Sequence, residues 1–161
     1  MSDARLAALA DEPPETRAAT LMALAWEPQD APLAVEAFLA DPSPLVRVAA
    51  AFARLRSGAP PRERDRLVEV IADVLCGDDE EHALAAGTAL VELGELVTPI
   101  LVRRCERTDA REPLIVRVLG ELAGPDARAC LQSLVEETRG SAAARAEARA
   151  ALAALARESS A

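Results

Sequence analysis

Few side chains in this sequence are of a type that does acid–base or nucleophilic chemistry. There is one histidine, His82, and no tyrosine. His82 follows Asp78-Asp79-Glu80-Glu81, with Cys76 just upstream. Imidazole, thiolate and carboxylate are all metal ligands, so the cluster superficially suggests a metal site. It lacks the second histidine or cysteine that would complete a four-ligand set, and Gly77 separates Cys76 from the rest. The simpler reading is a helix start, in which four acids form the cap and first turn against the positive end of the helix dipole, with His82 exposed beside them. Neither a glycine-rich phosphate loop nor a nucleophile elbow is present. The expectation is therefore a protein that is not an enzyme, with no catalytic, metal or cofactor residues. Cys76, Cys105 and Cys130 are an odd number with wide spacing and no CxxC pair, which predicts reduced thiols, with Cys105 and Cys130 in a helical core.

The other chemistry in reach is recognition by arginine. All 18 basic residues are arginine, a bias that a GC-rich genome explains, and a guanidinium can grip a carboxylate bidentately. The arginines cluster: Arg62, Arg64 and Arg66 open one predicted helix, and Arg103, Arg104 and Arg107 close the next. If both helices line one face, that face is locally positive and suits an acidic or helical segment of a partner protein. The candidate contacts are Arg62, Arg66, Arg103, Arg104 and Arg107, flanked by Glu69, Asp73 and Gln132. Glu63, Asp65, Glu69 and Glu106 are interleaved, so an ordinary solvated helix surface is the competing reading. Nucleic acid is a poor fit, because 27 acidic against 18 basic residues give a formal charge of −9 and a pI near 4.7. Trp26 closes the first predicted helix beside Glu27-Pro28, where tryptophan more often plugs the core than meets a partner.

These residues must be held by a framework of helices. The chain has 161 residues, 51% of them apolar, which is too much burial potential for disorder. Only Trp26, Phe38 and Phe52 are aromatic, and alanine supplies the rest of the apolar count. No run approaches the roughly 18 apolar residues of a membrane span. The start, Met1-Ser2-Asp3-Ala4-Arg5, lacks the basic head and apolar core of a secretion signal, so a cytoplasmic protein is expected. Asp41-Pro42-Ser43-Pro44-Leu45-Val46-Arg47-Val48-Ala49-Ala50 echoes Glu12-Pro13-Pro14-Glu15-Thr16-Arg17-Ala18-Ala19, 30 residues earlier. Further echoes begin at Asp79, Pro113 and Arg145, at a mean period of about 32 residues. The repeats fall at about 11–40, 41–76, 78–107, 110–138 and 141–158, and a helix over 3–10 would cover the open end.

Each echo predicts a first helix followed by a second. Proline, aspartate and serine open the first helices, and Gly58, Gly77, Gly94, Gly124 and Gly140 mark several of the helix stops. Second helices are expected over Ala31–Ala40, Arg62–Leu75, Val97–Arg107 and Asp126–Thr138. Alanine pairs such as Ala18-Ala19, Ala49-Ala50, Ala85-Ala86 and Ala150-Ala151 allow close approach of neighbouring helices. Gly87, mid-helix, is expected to mark another such approach. The expected class is all-α, and β-branched alternation is absent.

Two stretches carry a family resemblance. One is Glu27–Arg47, ending in Asp41-Pro42-Ser43-Pro44-Leu45-Val46-Arg47. The other is Val118-Leu119-Gly120-Glu121-Leu122-Ala123-Gly124-Pro125-Asp126-Ala127. These resemble HEAT repeats, specifically the short HEAT-like repeats of the phycobilisome-lyase type. Ala83 departs from the repeat's usual arginine in the third copy, and Glu112-Pro113 interrupts the fourth. The resemblance implies a single domain over 1–161: an α-solenoid of about five hairpins, about ten helices, in a right-handed superhelix whose second helices line a concave face. It further implies a scaffold, adaptor or regulatory module that binds a protein partner on that face. An accessory or regulatory subunit of an enzyme complex, chromophore-lyase-like, is the alternative, followed by a nucleic-acid binder. Oligomeric state is left open.

Overall fold

The computed structural model describes residues 8–26, 33–107, 113–136 and 141–158, and among them there is helix and no strand. In chain order the elements are α1 (Pro14–Leu24), a 3₁₀ segment (Leu33–Ala40), α2 (Pro44–Arg56), α3 (Pro61–Leu75) and α4 (Glu80–Leu93). A 3₁₀ turn (Gly94–Leu96) leads into α5 (Thr98–Arg107), followed by α6 (Pro113–Leu122), α7 (Pro125–Glu136) and α8 (Ala142–Glu158). The chain is all-α. Contacts group it into two compact units, Met1–Ala89 and Leu90–Ala161. Most of the expected helix over 3–10, the stop at Gly140 and the first two residues of the expected helix Ala31–Ala40 lie outside the described residues.

In the first unit, α2 is the central element and packs against α1, the 3₁₀ segment and α3. Its sequence explains the position. Val46, Val48, Leu55 and the whole run Ala49–Ala53 are buried, so the helix is apolar on nearly every side and needs neighbours all round. Phe52 is fully buried, a contribution of about 1.5–3 kcal/mol from its side chain alone. One expectation is corrected here: Leu33–Ala40 is 3₁₀ rather than α-helical. Side chains three apart eclipse in a 3₁₀ helix, which places Val35 and Phe38 together on the buried side.

In the second unit, α6 packs against α5, α7 and α8, and α7 packs against α5 and α8. Ile115, Val116, Val118 and Leu119 of α6 are buried, as are Leu131 and Leu134 of α7 and Ala144, Ala148 and Leu155 of α8. The tightest approach is between Gly120 and Ala151, where a Cβ built on Gly120 would lie 2.6 Å from the Ala151 Cβ. The alanine pairs read from the sequence are buried to different extents: one member of Ala18-Ala19 and one of Ala85-Ala86 is buried, and neither of Ala150-Ala151. Ala18 and Ala86 are buried, whereas Ala19 and Ala150 are exposed, and only Ala49-Ala50 is buried as a pair.

Helix starts follow one recurring rule. α1, α2, α3 and α7 each begin with proline and carry arginine as the fourth helical residue: Pro14/Arg17, Pro44/Arg47, Pro61/Arg64 and Pro125/Arg128. In every case the guanidinium folds back and donates to the carbonyl five residues earlier. Arg17 reaches Glu12 O at 2.6 Å, Arg47 reaches Pro42 O at 3.1 Å, and Arg64 and Arg128 reach Ala59 O and Ala123 O at 2.9 Å. A cation in the first turn opposes the helix dipole. These charge-assisted bonds offset that cost and fix the chain where it enters the helix.

Side-chain capping is used elsewhere. Asp79 accepts the His82 amide at 2.9 Å at the start of α4, and Ser141 accepts the Ala144 amide at 3.0 Å at the start of α8. Ser43 is a correction to the expected capping, because its side chain makes no cap bond and its own N–H is held by Asp41 at 2.9 Å. After α6 the chain turns through Ala123 at φ 56°, a left-handed conformation that costs an alanine side chain roughly 1–2 kcal/mol. Ala123→Gly should therefore raise the stability of the second unit by about 1 kcal/mol, read as an upward shift of the thermal unfolding midpoint.

Candidate functional site

Helix α3 presents the clearest chemical surface of the first unit. Leu67, Val68, Ile71, Ala72, Val74 and Leu75 are buried, and the helix is anchored to α2 by an Arg54–Glu63 ion pair at 2.9 Å. Arg62, Arg66, Glu69 and Asp73 occur at successive four-, three- and four-residue steps, so they form one stripe along the helix away from the apolar face. Arg62 and Arg66 are exposed, Glu69 is half-buried and Asp73 is exposed. Arg62 has its side chain 85% exposed and only a distant 3.8 Å approach to Glu63. The stripe runs from two cations at the helix start to two anions near its end. That order opposes the helix dipole at both ends, so helix stability does not account for it.

The other four sequence-predicted residues lie in the second unit. Arg103 and Arg107 share the exposed side of α5, and Gln132 is exposed on α7. Arg104 is the exception and a correction. It is only 9% exposed and lies with Ile100, Leu101 and Cys105 on the buried side of α5. Helical periodicity gives the reason, since position 104 is one turn from Ile100 and a third of a turn from Arg103.

His82 is half-buried, with Nδ1 3.5 Å from the Asp79 carboxylate that caps the same helix. Among the described residues no group of three or more His, Cys, Asp or Glu side chains is arranged to hold a metal ion. Cys105 is buried, whereas Cys76 and Cys130 are half-buried, and none of the three is in a disulfide. Cys130 is thus less enclosed than its apolar neighbourhood predicts.

A groove of about 450 Å³ opens in the second unit, with Gly120, Ala151 and Leu155 among its apolar lining and Arg117, Glu121 and Glu147 among its polar residues. Arg117 donates to Glu147 at 2.7 Å across α6 and α8. That hydrogen bond, then the Glu147 charge, raises the Arg117 guanidinium above its ordinary range. Arginine is cationic at any working pH in either case.

Trp26 reverses one sequence expectation. It does not plug the core: it is 58% exposed, on the turn after α1, with its ring tilted against Phe52 at a centroid distance of 6.3 Å. The Arg56 guanidinium carbon lies 4.2 Å from the centre of the indole. Trp26 was visible in the sequence, but its partner, 30 residues away at the end of α2, was not. The repeat spacing could have found it, since position 56 follows position 26 by the same 30 residues that relate Arg47 to Arg17.

Comparison with family models, curated proteins and solved structures returned no match for this chain.

Proposed function

We propose that the chain is a non-enzymatic protein-interaction module, a scaffold, adaptor or regulatory subunit built from HEAT-like helical hairpins stacked as a right-handed α-solenoid. On this reading the second helices line a concave face that holds an acidic or helical segment of a partner protein. The order of packing supports the repeat reading. In the first unit α1 meets α2; in the second, α5 meets α7 and α6 meets α8, so corresponding helices of successive hairpins lie against one another. The observation that carries the functional reading is the Arg62–Arg66–Glu69–Asp73 stripe, displayed on a helix whose opposite face is firmly buried. A rigid helix presents these groups with little ordering cost on binding, which is the mechanism of recognition proposed.

Affinity enrichment tests this reading, comparing the wild type with Arg62→Glu/Arg66→Glu. Both residues are exposed, so the double reversal should leave the far-UV circular dichroism unchanged. The expected result is a partner protein retained by the wild type and reduced about tenfold or more by the reversal. A wild type that enriches no protein over a control matrix, or a partner retained equally by both, overturns it.

A further inference from the structure

We infer that Trp26 and Arg56 together form a separate anchor for a partner's peptide segment, one that places a carboxylate beside an apolar side chain. This inference rests on the partner-binding reading but on different residues from the α3 stripe. Three observations lead to it. Trp26 is one of only two large apolar side chains markedly exposed among the described residues, the other being an isolated leucine, Leu84. Arg56 is exposed at the end of α2 and stacks on the indole, while no carboxylate pairs with its guanidinium among the described residues. Phe52, fully buried on the same helix, backs the indole and fixes its position.

The chemistry of the occupant follows. A guanidinium resting on an aromatic face keeps its N–H edge available for a planar anion, and stacking fixes the orientation of that edge in advance. A carboxylate can then be gripped bidentately. The exposed part of the indole beside it offers apolar area for the neighbouring residue of the segment. Tryptophan and arginine are the side chains most often responsible for binding energy at protein interfaces. A positive, aromatic spot on a chain of net charge −9 selects an acidic segment locally while the remaining surface repels acidic polymers at large.

Panning a random displayed peptide library against the whole chain supplies the probe, and a synthetic copy of the most enriched peptide is then titrated. Trp26 is the only tryptophan, so its fluorescence reports directly on the anchor. The expected result is an enriched set sharing Asp or Glu next to an apolar residue, with a saturable change in Trp26 emission. Arg56→Glu, and Trp26→Ala followed through a fluorophore on the peptide because that variant lacks the tryptophan, should each weaken binding about tenfold or more at unchanged circular dichroism. Arg56→Lys should fall between, because lysine keeps the charge but loses the planar fork. No enrichment, enriched peptides without acidic residues, or binding insensitive to both Arg56→Glu and Trp26→Ala overturns the anchor. Binding lost in Arg62→Glu/Arg66→Glu and kept in Trp26→Ala overturns the anchor while leaving the interaction-module reading in place.

Discussion

Replacing Asp41 with alanine will destabilise the first unit by about 3–5 kcal/mol, the cost of stranding a buried guanidinium. Asp41 and Arg17 have side chains only 9% and 11% exposed and meet at 2.8 Å. The same carboxylate oxygen also accepts the Ser43 amide at 2.9 Å. Arg17 is otherwise held by one bond to the Glu12 carbonyl, and its Nε has no hydrogen-bond partner at all. Loss of Asp41 would leave two of the three guanidinium nitrogens unmatched in a site that water barely reaches. Asp41→Asn keeps an acceptor but removes the charge, so its cost should be smaller. Arg17→Met combined with Asp41→Ala should recover much of the loss, because no uncompensated charge then remains. Urea unfolding followed by Trp26 fluorescence measures all three, since the sole tryptophan reports on this unit. A cost below 1 kcal/mol for Asp41→Ala would mean that the pair behaves as a solvated surface bridge.

This network shows how helices with so little aromatic core can be held in register. Arg17 belongs to α1, while the Asp41 backbone carbonyl also accepts Arg47 of α2 at 2.8 Å. One loop residue therefore ties together the starts of α1 and α2, using its side chain for one and its backbone for the other. Small side chains set the spacing between these helices, and polar groups at their ends set the register. The proposed binding surfaces profit from this division, because α2 carries both Arg56 and the contacts that seat α3. The anchor and the stripe thus rest on the same buried helix.

Much of this was legible from residue spacing, and the misses share a physical cause. The proline-opened helix starts and the apolar stripe of α3 follow from local preferences that need no tertiary information. The four-residue spacing from proline to arginine was equally plain in the sequence, but nothing local says that the guanidinium turns back rather than outward. Arg104 was grouped with Arg103 and Arg107 because neighbours in sequence were read as neighbours in space. On a helix they are not, and the apolar residues Ile100 and Leu101 already marked the side on which position 104 would fall. Trp26 was misjudged because its burial depends on what lies next to it in space. Gly87 and Gly120 both sit in helices, yet only the packing of α6 on α8 reveals that Gly120 is a site of close approach.

That approach gives the second large effect. Gly120→Ala should destabilise the second unit, because the new methyl would sit 2.6 Å from the Ala151 Cβ, an atom fixed to the backbone and unable to rotate away. Overpacking of this kind typically costs about 1–3 kcal/mol. It must outweigh about 1 kcal/mol gained by replacing glycine with alanine inside a helix. Ala151→Gly alone should lose about 1 kcal/mol through the same propensity term. The two changes together exchange the methyl from one helix to the other: the clash vanishes, the propensity terms cancel, and stability should return close to that of the parent. The double-mutant cycle therefore predicts a coupling equal to the clash itself, about 1–3 kcal/mol, within the range for residues in direct contact. Thermal unfolding followed by circular dichroism measures each corner, with about 2–4 °C expected per kcal/mol in a chain of this size. Independent, additive effects at the two positions would show that α6 and α8 can separate without penalty, and the close contact at Gly120 would then not be what sets their spacing.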